Sequence, residues 1–256
     1  MVFSKWNVRL ITAVKLGIYL GIYRVNKKSN QENASILESV KASYRGRNPT
    51  RADGIKRRRV ILDAVRQTII TSGVQGVKHR AVAEAADVPL AATTYYFPDI
   101  HALLHDAFLD FCEMNIHQLQ ALELKGRELL SQMAAPNHLD KAQKLKIEAM
   151  LTGVIYEHVQ SQVKNSDDRI IERAFRNESI RNPELATLVN AMELKQLGAI
   201  SHFFTAFGST HPDSDARELM ALILFLEHSL LAGYVSKKEA EETITRFFHR
   251  ILFTEG

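Results

Sequence analysis

The sequence contains one cysteine, Cys112, in 256 residues, so neither an intrachain disulfide framework nor a cysteine-based zinc site can form. That economy fits a reducing cytoplasm, with Cys112 an inert helix residue. A glycine-rich phosphate loop, a G-x-S-x-G elbow and an H-E-x-x-H pair are all missing, which removes the best-marked routes to nucleotide chemistry, serine hydrolysis and zinc hydrolysis. No catalytic residues, cofactor or metal are expected. Patterns of strand alternation are scarce, and no internal repeat is visible. An unbroken apolar run is missing too. The most apolar stretch, Trp6 to Val25, is interrupted by Arg9 and Lys15, whereas a membrane span needs about twenty mainly apolar residues. No small-residue cleavage site follows it. It reads as a helix packed on the domain or as sequence upstream of the true start; a membrane-associated helical protein anchored through this segment is the alternative.

What is present is apolar mass and a lopsided charge. At 46% hydrophobic residues the chain can bury a substantial core, and its length allows one or two domains plus a tail. The net charge of +4 hides a polarity: Met1 to Arg59 holds fourteen Lys/Arg against three Asp/Glu, and the remainder nineteen against twenty-six. A basic end of this kind is drawn to polyanions, either nucleic acid or an anionic membrane surface. Residues Asn26 to Asp53, with Lys27, Lys28, Arg45, Arg47, Arg51, Gly46 and Pro49, read as a flexible linker. Residues 1–52 are accordingly taken as a basic extension.

From Asp53, which can cap, the pattern becomes helical: Ile61, Leu62, Val65, Ile69 and Ile70 share one face, and Gly73 and Gly76 end the helix. A short helix fits Arg80 to Ala86, and Asp87, Val88 and Pro89 form a tight connection. A third helix, Leu90 to Tyr96, is too short to stand without its neighbours. Short helix, turn, short helix, leaning on a longer one, is how a helix-turn-helix offers its second element to the major groove. Small side chains at Ala91, Ala92, Thr93 and Thr94 would let that helix approach base edges, and the Tyr95 or Tyr96 phenol could reach phosphates. A small helical packing corner would show the same spacing.

The residues Ile61-Leu62-Asp63-Ala64, Gly73, Val82-Ala83-Glu84-Ala85-Ala86-Asp87-Val88, Thr93-Thr94-Tyr95-Tyr96-Phe97 and Ala102-Leu103-Leu104 resemble the DNA-binding region of the tetracycline-repressor (TetR) family. The resemblance covers about fifty consecutive residues, from the helix-turn-helix to the start of the next helix. It implies that Leu90, Ala91 and Thr94 face bases and that His79, Arg80, Ala92, Tyr95 and Tyr96 lie near the DNA backbone. It also implies a basic arm at Lys56, Arg57, Arg58 and Arg59 reaching phosphates or the minor groove. Four positions depart from the pattern. Lys78 stands where a Ser or Thr cap is usual, Asp87 replaces a turn glycine, Thr94 a tyrosine, and Ile100 a phosphate-binding lysine. Since residues 60–100 contain three Lys/Arg against four Asp/Glu, the arm is expected to supply much of the attraction to DNA.

The rest of the chain reads as helices near Ile100–Lys125, Leu139–Gln162, Asp167–Arg176, Pro183–Phe207, Asp215–Tyr234 and Lys237–Phe253, punctuated by Pro136, Pro183 and Pro212. The expected fold is all-α: residues 53–100 a helix-turn-helix domain, residues 101–256 a helical effector-binding and dimerisation domain. The crowded apolar residues of the last two long helices, among them Phe225, Leu226, Phe247 and Phe248, suit either a core or a partner surface, and the resemblance implies a homodimer paired through them. An apolar effector cavity is expected to draw on Phe108, Phe111, Met114, Met150, Ile155, Phe175, Phe203 and Phe204. His101 and His105 share a helical face, but no third ligand accompanies them. Together these imply a cytoplasmic, sequence-specific regulator of transcription that binds a palindromic operator as a dimer and represses until a small-molecule effector releases it. A helical ligand carrier is the other alternative.

Overall fold

The computed structural model describes residues 44–132 and 139–253, so the candidate membrane segment Trp6 to Val25 and most of the basic extension lie outside the described residues. The elements below all lie in the unit spanning Gly46–Gly256. Among the described residues every regular element is helical: α1 Ala52–Ser72, a 3₁₀ turn Val74–Gly76, α2 His79–Ala85, α3 Leu90–Tyr96, α4 Ile100–Gln132, α5 Lys141–Lys164, α6 Ser166–Ser179, α7 Pro183–Phe207, α8 Pro212–Leu231 and α9 Lys237–Phe253.

The helix starts follow local chemistry. Asp140 and Gln143 form a reciprocal capping box on α5. Asn182 accepts from the Leu185 N–H ahead of Pro183 at the start of α7, and Asp99 accepts from Ala102 N at 2.8 Å to begin α4. Each satisfies an amide that would otherwise lack a partner. At the start of α1 the sequence expectation is corrected: Asp53 lies inside the first turn, while Arg51 occupies the cap position and makes no side-chain cap bond.

Two apolar cores organise the helices. The first joins Ile61, Leu62, Val65 and Ile69 of α1, Val82 of α2, Tyr96 and Phe97, Leu103, Phe108 and Phe111 of α4, Ile171 and Phe175 of α6, and Leu185 and Val189 of α7. The short helices α2 and α3 are therefore stabilised by the same core that holds α6 and α7, as elements of seven residues require. The second core joins α5, the end of α7, α8 and α9 through Leu151, Ile155, Phe204, Phe207, Leu226, Ile244, Phe247 and Phe248. Among the described residues no helix is long and apolar enough to cross a membrane.

Candidate nucleic-acid interface

Helices α2 and α3 are joined by a turn whose geometry rests on Asp87. Its φ of 50° makes it the one non-glycine residue with positive φ among those described, a conformation Asp enters more readily than most residues. The turn closes with Val88 N donating to Ala83 O at 3.0 Å and Asp87 N to Glu84 O at 3.2 Å. Lys78 stands at the α2 cap position without a side-chain cap bond. Ile100, where the family pattern has a lysine, packs against the first core, so an apolar contact occupies the position of a phosphate ligand.

Helix α3 is divided by its own periodicity. Leu90, Ala91, Thr94 and Tyr95 are exposed, and Ala92 is half-buried. Thr93 is fully buried and turns its hydroxyl back to Leu90 O at 2.8 Å. Tyr96 is buried in the first core. This corrects the sequence expectation for two residues: side chains so enclosed have almost no surface to offer a base or a phosphate. His79 is half-buried, with both ring nitrogens shielded from solvent and making no hydrogen bond among the described residues, whereas Arg80 beside it is exposed.

The basic arm divides in the same way. Arg57 is exposed on α1. Arg58 places its guanidinium 2.7 Å from Asp106 of α4, with 12% of its side chain exposed and none of the carboxylate's, and it also lies over the Phe97 ring at 5.5 Å. Arg59 pairs with Asp63 at 2.8 Å and with Asp110 at 2.7 Å. Arg66 is 3.9 Å from the other Asp110 oxygen and donates to the Met114 sulfur. Burial pushes the Asp110 carboxyl above its ordinary pKa, and Arg59 and Arg66 pull against that shift. Arg58 and Arg59 are therefore not a free arm; they lock α1 onto α4. The signal for this was present in the sequence: Asp106 and Asp110 sit four apart within the apolar stripe of α4, and buried carboxylates need cations.

Residues 46–51, read as flexible linker, are pinned. Gly46 N donates to Asp106 Oδ2 at 3.0 Å, and Arg47 N donates to Tyr96 O at 2.7 Å. A Cβ at Gly46 would stand 2.7 Å from Asp106 and from Phe97, and one at Gly54 would stand 2.7 Å from Pro49. The strap thus passes closely enough for glycine alone at position 46. His105 Nδ1 lies 3.2 Å from the remaining Asp106 oxygen, so His105 is turned inward to the carboxylate while His101 is exposed.

Of the eight residues expected to line one effector cavity, six are divided between the two cores. Phe108, Phe111 and Phe175 form an aromatic cluster in the first, with Phe108 and Phe175 edge to face at 5.0 Å. Ile155 and Phe204 belong to the second, with Phe203 packed against it. Met114 is exposed beside Arg59 and Arg66, and Met150 is half-buried. In the last two helices Leu226, Phe247 and Phe248 are committed to the second core, while Phe225 remains exposed.

A buried polar cluster between α5, α6 and α8 had no counterpart in the sequence reading. Glu227, 3% exposed, lies 3.8 Å from Arg169, which also pairs with Glu172. Arg176 pairs with Glu172 and Glu193, and Arg173 donates to Leu224 O at 2.9 Å. Burial raises the Glu227 carboxyl to about 7 despite Arg169. Burial, with Arg169 nearby, lowers His158 to about 4. These groups are scattered over seventy positions of sequence, so no local motif marks them.

No protein-family model and no curated protein matches the sequence. Solved structures do match the fold. A transcriptional regulator from Rhodococcus sp. Rha1 superimposes with a TM-score of 0.56 at 17% identity, over 76% of this chain and 95% of its own. A TetR-family regulator from Mesorhizobium loti gives 0.58 at 14% identity, over 79% and 98%. Another from Rhodococcus gives 0.53 at 19%, over 77% and 99%. The chain therefore has the all-helical fold of TetR-family regulators, helix-turn-helix included.

Proposed function

We propose that this chain, built on the TetR-family fold, is a sequence-specific DNA-binding regulator of transcription. The observation that carries the reading is the two-sided character of α3: Thr93 and Tyr96 fix the helix to the core, while Leu90, Ala91, Thr94 and Tyr95 stand open on its other face. A short helix held rigidly with small side chains outward suits entry into the major groove. Residues 53–100 form the reader, and the exposed Arg57 and Arg80 neutralise phosphates. Residues 101–256 form the effector and dimerisation domain. No catalytic role is assigned.

Two copies pair through α8 and α9, presenting two readers to a palindromic operator. The exposed Phe225, Leu231 and Tyr234 at and just beyond α8 support that pairing, since apolar and aromatic side chains enrich interface centres. A small molecule bound among α4 to α8 shifts α4, and α4 carries the shift to the reader through Asp106, Asp110 and the aromatic cluster at Phe108 and Phe111. The effector acts only to the extent that it binds the two arrangements unequally. The default output is repression in the cytoplasm.

Genome-wide footprinting of the full chain, with and without extracts of cell metabolites, tests the reading. Discrete twofold-symmetric footprints, some lost with an extract, are expected. Uniform protection without preferred sites would remove the sequence-specific function.

A further inference from the structure

We infer that Arg47 is a phosphate-contacting residue of the DNA interface, held against α3 by a strap whose anchor is the buried carboxylate of Asp106. The inference rests on the DNA-binding reading and adds to it a residue from the segment ahead of α1. The Arg47 guanidinium lies over the Tyr95 ring, 4.2 Å from its centroid. Both side chains are exposed, on the helix whose outer face reads DNA. Among the described residues no carboxylate pairs with Arg47, in contrast to Arg58 and Arg59, whose charges are taken up by Asp106, Asp110 and Asp63.

Position decides what Arg47 meets. Its N–H is bonded to Tyr96 O, at the C-terminal end of α3, whereas the N-terminal residues of a recognition helix contact base edges. The C-terminal end lies towards the groove wall, where phosphates are. A guanidinium suits that partner because its planar fork donates two parallel hydrogen bonds to phosphate oxygens. Stacking on Tyr95 holds the fork in place before DNA arrives, so less side-chain freedom is lost on binding.

The strap also links this contact to α4. Gly46 N bonds the same Asp106 carboxylate that holds Arg58, and Gly46 has no room for a Cβ against Asp106 and Phe97. A displacement of α4 at Asp106 therefore moves Arg47 together with α1.

The test uses the full chain and two probes: a duplex recovered from a random pool by selection with the wild-type protein, and an unrelated duplex of equal length. Binding is titrated over a series of salt concentrations. Arg47→Ala is expected to weaken both probes by the same factor, roughly tenfold at low salt, and to lower the salt slope by about 0.9 for each Arg47 that leaves a phosphate. The ratio between the probes stays constant. Gly46→Ala is expected to reproduce the loss, and the double variant to bind no worse than Arg47→Ala alone. If Gly46→Ala lowers the melting temperature, Arg47→Ala, whose side chain is exposed, carries the test by itself. An unchanged slope in Arg47→Ala, or a changed ratio between probes, overturns the assignment while leaving the DNA-binding reading intact. A wild-type protein that binds no duplex in a salt-sensitive way overturns both.

Discussion

Arg58 on the first helix and Asp106 on the fourth form a buried ion pair, 2.7 Å between guanidinium and carboxylate, that fastens α1 to α4. The same carboxylate receives Gly46 N, so the segment ahead of α1 and α1 itself meet on one side chain.

Replacing Asp106 with Ala strands Arg58 in a largely enclosed site and releases the strap. Breaking a buried pair from one side costs about 3–5 kcal/mol, and the loss is expected in denaturant unfolding of the full chain. Asp106→Asn, which keeps an acceptor oxygen but no charge, should lose less. Equal stability of Asp106→Ala and wild type would show that the pair does not hold the reader in place.

Phe175 of α6 is fully enclosed and touches both Phe108 and Phe111, with ring centroids 5.0 and 6.3 Å away. Phe175→Ala should destabilise the fold by about 3–5 kcal/mol, through lost transfer energy and the cavity left behind. Because this core also seats α1 to α3, hydrogen exchange should rise in those helices as well as in α6. Protection lost in α6 alone would separate the reader from the core.

The buried cluster around Arg169 predicts two opposed pH dependences. Glu227 is raised from 4.5 to about 7, so between those values the unfolded state gives up a proton that the folded state keeps, and stability falls as pH rises. The full shift amounts to about 3 kcal/mol. His158 is lowered from 6.5 to about 4, so the unfolded state takes up a proton first as pH falls, and stability is lost from about 6.5 down to about 4. The two slopes oppose each other over their shared range. In melting curves from pH 4 to 8, Glu227→Gln should unmask the loss towards acid, and His158→Gln should unmask the decline towards neutral pH. Parallel curves for all three proteins would contradict the assignment of these groups.

Ala91 and Thr94 are exposed on α3, and Arg57 on α1 and Arg80 on α2 are exposed cations. On the proposed reading these side chains meet base edges, so substituting Thr94 with Val or Ala91 with Ser should change which duplexes are selected from a random pool. Replacing Arg57 and Arg80 with Gln should instead weaken every duplex alike and flatten the salt dependence, by about 0.9 per lost phosphate contact. Arg58→Gln should chiefly lower stability, since its charge is already used by Asp106. A selection profile unchanged in the Thr94 and Ala91 variants would place base reading elsewhere.

The helices were legible because their signals are local. The apolar stripe of α1, Pro183 at the start of α7, and the Asp87 turn are all set within a few residues, and α3 falls on Leu90–Tyr96 as its pattern requires. The span of the helix-turn-helix was legible through the resemblance. Which of its side chains face outward was not, because membership of a motif does not say which side of a seven-residue helix faces the core: Thr93 and Tyr96 are adjacent in sequence to the exposed Thr94 and Tyr95. The arginines misled for a related reason. A run of four cations, Lys56 to Arg59, looks like an arm until the partners forty-eight and fifty-one residues away from Arg58 and Arg59, Asp106 and Asp110, are brought beside it. The pinning of Gly46 and Arg47 depends on the same tertiary approach.

The central claim, that the exposed face of α3 reads base sequence, is tested most directly by titrating the full chain against its best selected duplex and against a scrambled duplex of identical composition at about 0.15 M salt. Specific regulators prefer their site by roughly a thousandfold or more, and a preference of that order, reduced by Thr94→Val, is the predicted result. Equal affinity for the two duplexes, unchanged by that substitution, would contradict it.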